Sequence, residues 1–422
     1  MQHAIPQNLG PMRDLMASAV GKCVHCGFCL PTCPTYQVHA EEMDSPRGRI
    51  ILMKSVLEGE IELDEALPYV DRCLGCLSCV TACPSGVPYE ELLTPFREFA
   101  EKQRRRSILE RVEHELLMET LPDHNRFRLS AKMGKLAKPM QPLLPGKLKD
   151  MLSLLPDSLP VSQPLPNLYP ANGERRARVA LLTGCVQQVL APQINWATLR
   201  VLAYNGVEVV IPPDQGCCGA LAMHVGEMDK ARGMALHNME AFPYDVDAII
   251  TNAAGCGSAM LRYPMLFAGT QWEEKARKFS TLVQDISVFL EKLGILPLPS
   301  QANQIKLAYH DACHLMHAQK VVEAPRKLLE QIPNLILCSI PEAELCCGSA
   351  GIYNLEQPET ARELGERKIN NILGTGAQLV ATGNIGCLIQ LRKHLEETGQ
   401  FIPIMHTVEI LDRAYFGWKY TG

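Results

Sequence analysis

The chain of 422 residues has room for about two to four domains with cores of their own, and its net charge of −5 leaves no footprint of a nucleic-acid-binding surface. No window has the uninterrupted apolar length of a bilayer span, and the opening residues, MQHAIPQNLGPMRDL, lack the basic-then-apolar order of an export signal. With 17 cysteines and no such signal, a reducing compartment is expected: the cytoplasm, or the membrane face turned towards it.

The first element in the chain is a cysteine run, Cys23-x-x-Cys26-x-x-Cys29-x-x-x-Cys33-Pro34, and it recurs as Cys73-x-x-Cys76-x-x-Cys79-x-x-x-Cys83-Pro84. Two-residue gaps let a tight loop present successive sulfurs to one object and turn backbone N–H groups towards it. Gly27 and Gly75 lie inside these loops, where a positive φ costs glycine little. This is the spacing of the bacterial two-cluster ferredoxins, in which three thiolates of each run hold one 4Fe–4S cube and the fourth crosses to the other. The predicted ligand sets are therefore Cys23, Cys26, Cys29 and Cys83 for one cluster, and Cys73, Cys76, Cys79 and Cys33 for the other. Zinc is the rival occupant, but its four-ligand sites commonly use two separated CxxC knuckles, and two complete triplets fit that poorly. A zinc-bound scaffold without redox change is the reading left open on that side. Disulfides are disfavoured by the odd cysteine total and the length of the chain.

Between the runs, residues 50–57 and 63–70 read as short helices. Arg47-Gly48-Arg49 lies just before the first, either as a solvated turn or as a cationic patch that would favour the reduced form of a nearby cluster. Residues 96–119 read as one long charged helix. The segment from Arg126 to Lys149 carries seven basic residues (Arg126, Arg128, Lys132, Lys135, Lys138, Lys147, Lys149) and no acid before Asp150. Leu129, Met133, Leu136 and Met140 recur in it at helical spacing, so the helix is apolar on one side and cationic on the other. It suits an anionic lipid surface or an acidic partner, or else packs between domains. Pro156, Pro160, Pro164, Pro166 and Pro170 then mark an extended linker.

From Arg178 onward the sequence repeats. Cys185, the pair Cys217-Cys218 before Gly219, and Cys256 return as Cys313, Cys346-Cys347 before Gly348, and Cys387, at offsets of 128, 129 and 131 residues. An internal repeat of domain size predicts two similar lobes related by a pseudo-twofold. Residues 178–184, 207–212 and 247–252 read as strands, matched by 305–310, 335–340 and 378–382. Helices are predicted over 195–204, 228–239, 359–373 and 389–398. Alternating strands and helices imply a mostly parallel sheet, with the cysteines just after strand C-termini, where open α/β sheets place their sites. Cys338, inside an apolar strand and without a repeat partner, reads as a small buried hydrophobe. His310, His314 and His317 bring three imidazoles around Cys313; zinc or a quinone headgroup could use them, but a structural role is the commoner one.

The strings VHCGFC, CPTYQ, SPRGRI and CPSGV around the cysteine runs, with GCCGA, LCCGSAG and NIGC in the repeats, resemble the iron–sulfur subunit of bacterial glycolate oxidase over nearly the whole chain. The layout is shared more widely with the iron–sulfur subunits of anaerobic glycerol-3-phosphate and D-lactate dehydrogenases and with heterodisulfide reductase. In the last of these the repeated unit ends in Cys-x-x-Cys. Here Ala259 and Gln390 stand where that final cysteine would be, which argues against heterodisulfide chemistry.

The resemblance implies an α+β multidomain protein: a helical two-cluster ferredoxin-type domain (1–115), a basic amphipathic segment and Pro-rich linker (116–175), and two tandem α/β repeats (176–298 and 299–422). It implies two 4Fe–4S clusters. It leaves Cys185, Cys217, Cys218 and Cys256, and Cys313, Cys346, Cys347 and Cys387, as candidate further cluster or redox sites. No dinucleotide fingerprint or P-loop is present, so no flavin is expected on this chain. FAD-containing partner subunits would oxidise glycolate to glyoxylate, and this chain would relay the electrons one at a time towards a membrane quinone. It would sit peripherally on the inner face of the cytoplasmic membrane.

Overall fold

The computed structural model describes residues 2–6, 9, 12–143, 146–156, 158–299 and 303–417, and side chains within these except at 142–148. Lys147 of the basic segment, the last residues of the second repeat, and Met1, Gln7, Asn8, Gly10 and Pro11 of the amino end fall outside that description.

The amino-terminal part is helical. Helices Arg13–Lys22, Pro46–Leu57, Leu63–Asp71 and Tyr89–Gln103 enclose a core of Met16, Val20, Met53, Val70, Leu92 and Phe96. The helix expected from Ile50 begins four residues earlier, because Ser45 caps it: the Ser45 hydroxyl accepts from Gly48 N at 3.0 Å, and Pro46 supplies the first turn. Arg47-Gly48-Arg49 therefore lies inside the first helical turn and not before it. Gly48 is required there, since a Cβ would overlap the Glu42 carbonyl.

The single helix expected over 96–119 is two, Tyr89–Gln103 and Ile108–Thr120. Arg104 is extended, and Ser107 starts the second helix with a capping box closed by Glu110. The Ser-x-x-Glu signature of that restart is present in the sequence.

Two sheets follow. Strands β1 (Leu168–Tyr169), β2 (Ala177–Leu181), β3 (Val207–Val210), β4 (Ala248–Thr251) and β5 (Val283–Asp285) form the first, in the order β1-β3-β2-β4-β5. Strands β6 (Ile305–His310), β7 (Leu335–Cys338), β8 (Leu379–Thr382) and β9 (Ile404–His406) form the second, ordered β7-β6-β8-β9. Apart from the antiparallel edge strand β1, all pairings are parallel and the two orders match strand for strand, as the duplication predicts. The proline-rich stretch ends in β1, which joins the first sheet. Strands β1, β5 and β9 were not expected; at two or three residues they are too short to carry an alternation.

The repeats share one core. Val179, Leu202 and Val207 of the first and Leu307, Leu379 and Leu411 of the second belong to a single buried cluster. Helix Thr407–Phe416 lies on helix Gln193–Tyr204, with the rings of Tyr204 and Tyr415 at 4.5 Å and an Arg200–Asp412 ion pair at 2.6 Å. Among the described residues no helix is long and apolar enough to cross a membrane.

Candidate metal centre

Each cysteine run folds as a loop with two left-handed residues flanking its middle cysteine. In the first they are His25 (φ 56°) and Gly27 (φ 86°); in the second, Gly75 (φ 59°) and Leu77 (φ 63°). The turn demands αL at both positions, yet each loop has glycine at only one. The strain accepted by His25 and Leu77, which a count of glycines does not detect, belongs to the kind that collects at functional sites.

The loops line two neighbouring cavities. One, about 420 Å³ of empty space counted out to solvent, is lined by Cys23, Cys26, Cys29 and Cys83, with Cys79 at its edge. The other, about 320 Å³, is lined by Cys33, Cys73, Cys76 and Cys79. The fourth cysteine of each run thus stands with the triplet of the other. Cys33 is the N-cap residue of helix Pro34–His39, and its sulfur rests on the Thr35 hydroxyl at 3.3 Å.

Polar groups surround the second cavity. Gly75 N donates to Cys73 Sγ (3.4 Å), the Tyr89 hydroxyl donates to the same sulfur (3.8 Å), and Thr35 shares a bond with Cys33 (3.3 Å). Arg49 is buried; its guanidinium reaches Cys33 Sγ at 3.8 Å, the Tyr69 carbonyl at 2.7 Å and Asp44 at 3.0 Å. Arg72 also binds the buried Asp44, at 2.5 Å, so two guanidinium groups against one carboxylate leave a positive charge beside this thiol set. Buried Arg97 braces the loop by donating to the Cys73 carbonyl at 2.6 Å. Arg47, more exposed, holds the first loop through the His25 carbonyl (2.9 Å). The arginines flanking Gly48 therefore clasp the cysteine loops and are not a solvated turn.

Burial pushes the thiols of Cys76 and Cys79 well up, and Cys29 to about 11. Thiols so buried ionise only when a metal takes the place of the proton. An all-sulfur donor set around a cavity, with N–H and O–H donors and a cationic neighbour, fits an iron–sulfur cluster and no oxygen-preferring ion.

The repeat cysteines are arranged differently. In the first repeat Cys185 and Cys217 touch at 3.6 Å, and the row continues through Cys218 to Cys256. In the second, Cys313 and Cys346 lie 3.9 Å apart and the row continues through Cys347 to Cys387. Cys185 and Cys313 follow strands as expected, Cys217 and Cys218 precede a helix, Cys256 and Cys387 lie in the first turns of helices, and Cys346 and Cys347 sit in a loop well past β7; each repeat gathers its own four. The helix starts that carry Cys256 and Cys387 meet, with Ala254 N donating to the Gly383 carbonyl at 3.1 Å. Cys338 lies half-buried in the edge strand β7, apart from both rows.

The ferredoxin-type unit docks on the repeats through its second cysteine loop. Cys76 packs against Cys313 and Cys346 in one buried cluster. His314 donates to the Gly75 carbonyl (3.2 Å), and His224 of the first repeat donates to the Leu74 carbonyl (3.1 Å). His317 bridges Thr81 (2.8 Å) and the Glu344 carbonyl (3.2 Å). The three imidazoles around Cys313 do not form one site: His314 and His317 are clasps between units, and His310 turns away, towards the sulfurs of Cys347 and Cys387. Nothing in the residues around His224 marks it for this contact.

The first cavity faces outwards. Cys26 is exposed, and Val24 and Phe28 beside it are 64% and 66% exposed. A further apolar surface lies on helix His124–Ala137, where Leu129, Met133 and Leu136 are exposed among the basic residues, while Phe127 and Ala131 pack inwards.

Comparison with known proteins agrees with this arrangement. Residues 19–87 match the 4Fe–4S dicluster domain family, and residues 179–261 and 307–392 each match the cysteine-rich CCG domain family. The chain is 37% identical to the probable glycolate oxidase iron–sulfur subunit of Bacillus subtilis, over 93% of each chain. It is 36% identical to the glycolate oxidase iron–sulfur subunit of Escherichia coli, over 94% of each. Lactate utilization protein A of Shouchella clausii is 29% identical over 56% of this chain and 98% of its own. With both cysteine-loop motifs and both cysteine-rich repeats in the same order over the same length, the chain belongs to the glycolate oxidase iron–sulfur subunit family.

Proposed function

We propose that this protein is the electron-transfer subunit of a membrane-associated, flavin-dependent glycolate dehydrogenase complex. Two 4Fe–4S clusters are assigned here to Cys23, Cys26, Cys29 and Cys83 and to Cys73, Cys76, Cys79 and Cys33. When bound, they supply one-electron redox chemistry between a two-electron flavin donor on partner subunits and a quinone acceptor. The observation that carries this reading is the pair of adjoining thiol-lined cavities that share Cys79, one rimmed by the exposed Val24, Cys26 and Phe28 and the other lined by the buried Cys33, Cys73, Cys76 and Arg49. The open side, with Val24 and Phe28 at its rim, suits docking of a redox partner. The basic helix with exposed Leu129, Met133 and Leu136 suits an anionic membrane surface and supports the peripheral location.

The thiol rows of the repeats are candidate further cluster or redox sites. The same relay could serve a lactate dehydrogenase, and the half-length likeness to lactate utilization protein A favours that alternative over glycerol 3-phosphate. Cys76→Ser tests the relay. Glycolate should still reduce the flavin of the complex, while quinone reduction falls at least a hundredfold; quinone reduction at the wild-type rate would refute the proposal.

A further inference from the structure

The two repeats differ at a position just ahead of the first cysteine of each row. Three residues before the first cysteine of its row, the first repeat has Leu182 and the second has His310. Both are buried, Leu182 2% and His310 1% exposed. Among the described residues, neither ring nitrogen of His310 has a hydrogen-bond partner. A buried imidazole with both nitrogens unsatisfied is rare, because each would be costly to desolvate without a partner. One nitrogen of His310 and the sulfurs of Cys347 and Cys387 all lie within 4.8 Å of one another. The residue below His310 in the pairing, Thr382, also has its hydroxyl unpartnered, so no neighbouring strand satisfies the imidazole.

We infer that the second repeat holds a single thiophilic divalent ion of the zinc class on His310, Cys347 and Cys387. Cys346, next to Cys347 in the chain and outside the 4.8 Å grouping, turns in as the fourth ligand when the ion binds. Ligands on one tetrahedral zinc stand close: at a Zn–S length of about 2.3 Å two thiolates are about 3.8 Å apart, and a thiolate and an imidazole nitrogen about 3.6 Å. The ligand atoms of His310, Cys347 and Cys387, all within 4.8 Å of one another, need only close in slightly to reach that scale. Thiolates on separate irons of a cube are spread more widely, around a void, as in the amino-terminal unit.

Binding is balanced by proton release: as each Zn–S bond forms, a thiol proton leaves to solvent, and the neutral imidazole gives its lone pair without losing a proton. The nearby cation, Lys368, is held by the carbonyls of Glu342 and Ala343 and faces the thiolates, offsetting the charge the third one adds. Two other groupings of potential ligands carry no such inference. His114 is already bonded to Glu227, and the carboxylates around His394 are exposed.

The site stands whether or not the relay reading holds, and its test reads metal and not turnover. Full-length protein is purified anaerobically, and zinc, iron and sulfide are counted per chain. Wild type should hold one zinc that survives gel filtration, and cobalt(II) loaded in its place should give tetrahedral d–d bands with a thiolate charge-transfer band. His310→Leu, which installs the residue the first repeat tolerates, should lose the zinc while keeping its iron and its far-ultraviolet circular dichroism. Zinc X-ray absorption on wild type supplies a readout free of any folding defect, with three sulfurs and one nitrogen expected. No ion bound after zinc or cobalt titration, zinc kept by His310→Leu, an all-sulfur shell, or iron and sulfide lost from Cys387→Ser beyond the complement of two cubes would each overturn the assignment.

Discussion

The two repeats carry the same strand order and the same row of four thiols, yet they are not equivalent. The second row ends against Cys76 of the buried ferredoxin-type cavity; the first row does not. The second has His310 and Lys368 beside its sulfurs, where the first has Leu182 and Asn238. Asn238 serves its loop by bonding Gly216 N (2.9 Å) and the Cys217 carbonyl (2.9 Å), much as Lys368 holds Glu342 and Ala343. Duplication fixes the scaffold, and substitutions at a few buried positions then give each copy its own chemistry.

The largest expected asymmetry is in the redox unit. Cys313→Ser should shift the midpoint potential or the paramagnetic signature of the buried cluster, because its sulfur packs on Cys76. Cys185→Ser should leave both unchanged. Equal effects from the two variants, read by redox titration with electron paramagnetic resonance, would erase the distinction drawn between the repeats.

A smaller difference is expected in stability. Gly219 and Gly348 close the same turn at φ 81° and 86°, but a Cβ on Gly219 would sit 3.4 Å from the Ala231 carbonyl and one on Gly348 only 2.6 Å from that of Ala361. Both alanine variants incur the left-handed penalty of roughly 1–2 kcal/mol, and Gly348→Ala adds a backbone overlap, for a total of about 2–4 kcal/mol. Chemical denaturation should rank them in that order.

A further effect is in pH dependence. His406, buried at the end of β9, accepts from Val408 N at 3.1 Å and caps the last helix; burial lowers it from 6.5 to about 4. The unfolded chain then binds the proton first as pH falls, so stability present above about pH 6.5 is lost on the way down to about pH 4, by up to about 3 kcal/mol. Asp285, raised by burial to about 6, acts in the opposite sense over part of that range. Comparing wild type with His406→Asn, which keeps a cap, isolates the histidine: the acid-induced loss should shrink in the variant.

Much of this was legible in the sequence because it rests on local spacing. The cysteine runs fix their own loops, and the repeat offsets announce a duplicated sheet whose longer strands read cleanly. What escaped is set by distant neighbours. No local pattern distinguishes His224 or Arg97, which act on a loop well away from them in sequence, or tells which nitrogen of which histidine is left unpaired. The break at Ser107 was readable from its capping box, but the run of charged residues on either side suggested continuity. His25 and Leu77 take left-handed backbone only because the completed loop forces it.

The central claim is that eight cysteines hold two cubes with their fourth ligands exchanged. Iron and sulfide analysis with low-temperature electron paramagnetic resonance of the anaerobic, dithionite-reduced protein tests it most directly. About eight irons per chain in cluster form and the broadened spectrum of two interacting reduced clusters are predicted. A colourless protein with little iron, or one that stays silent on reduction, would contradict it.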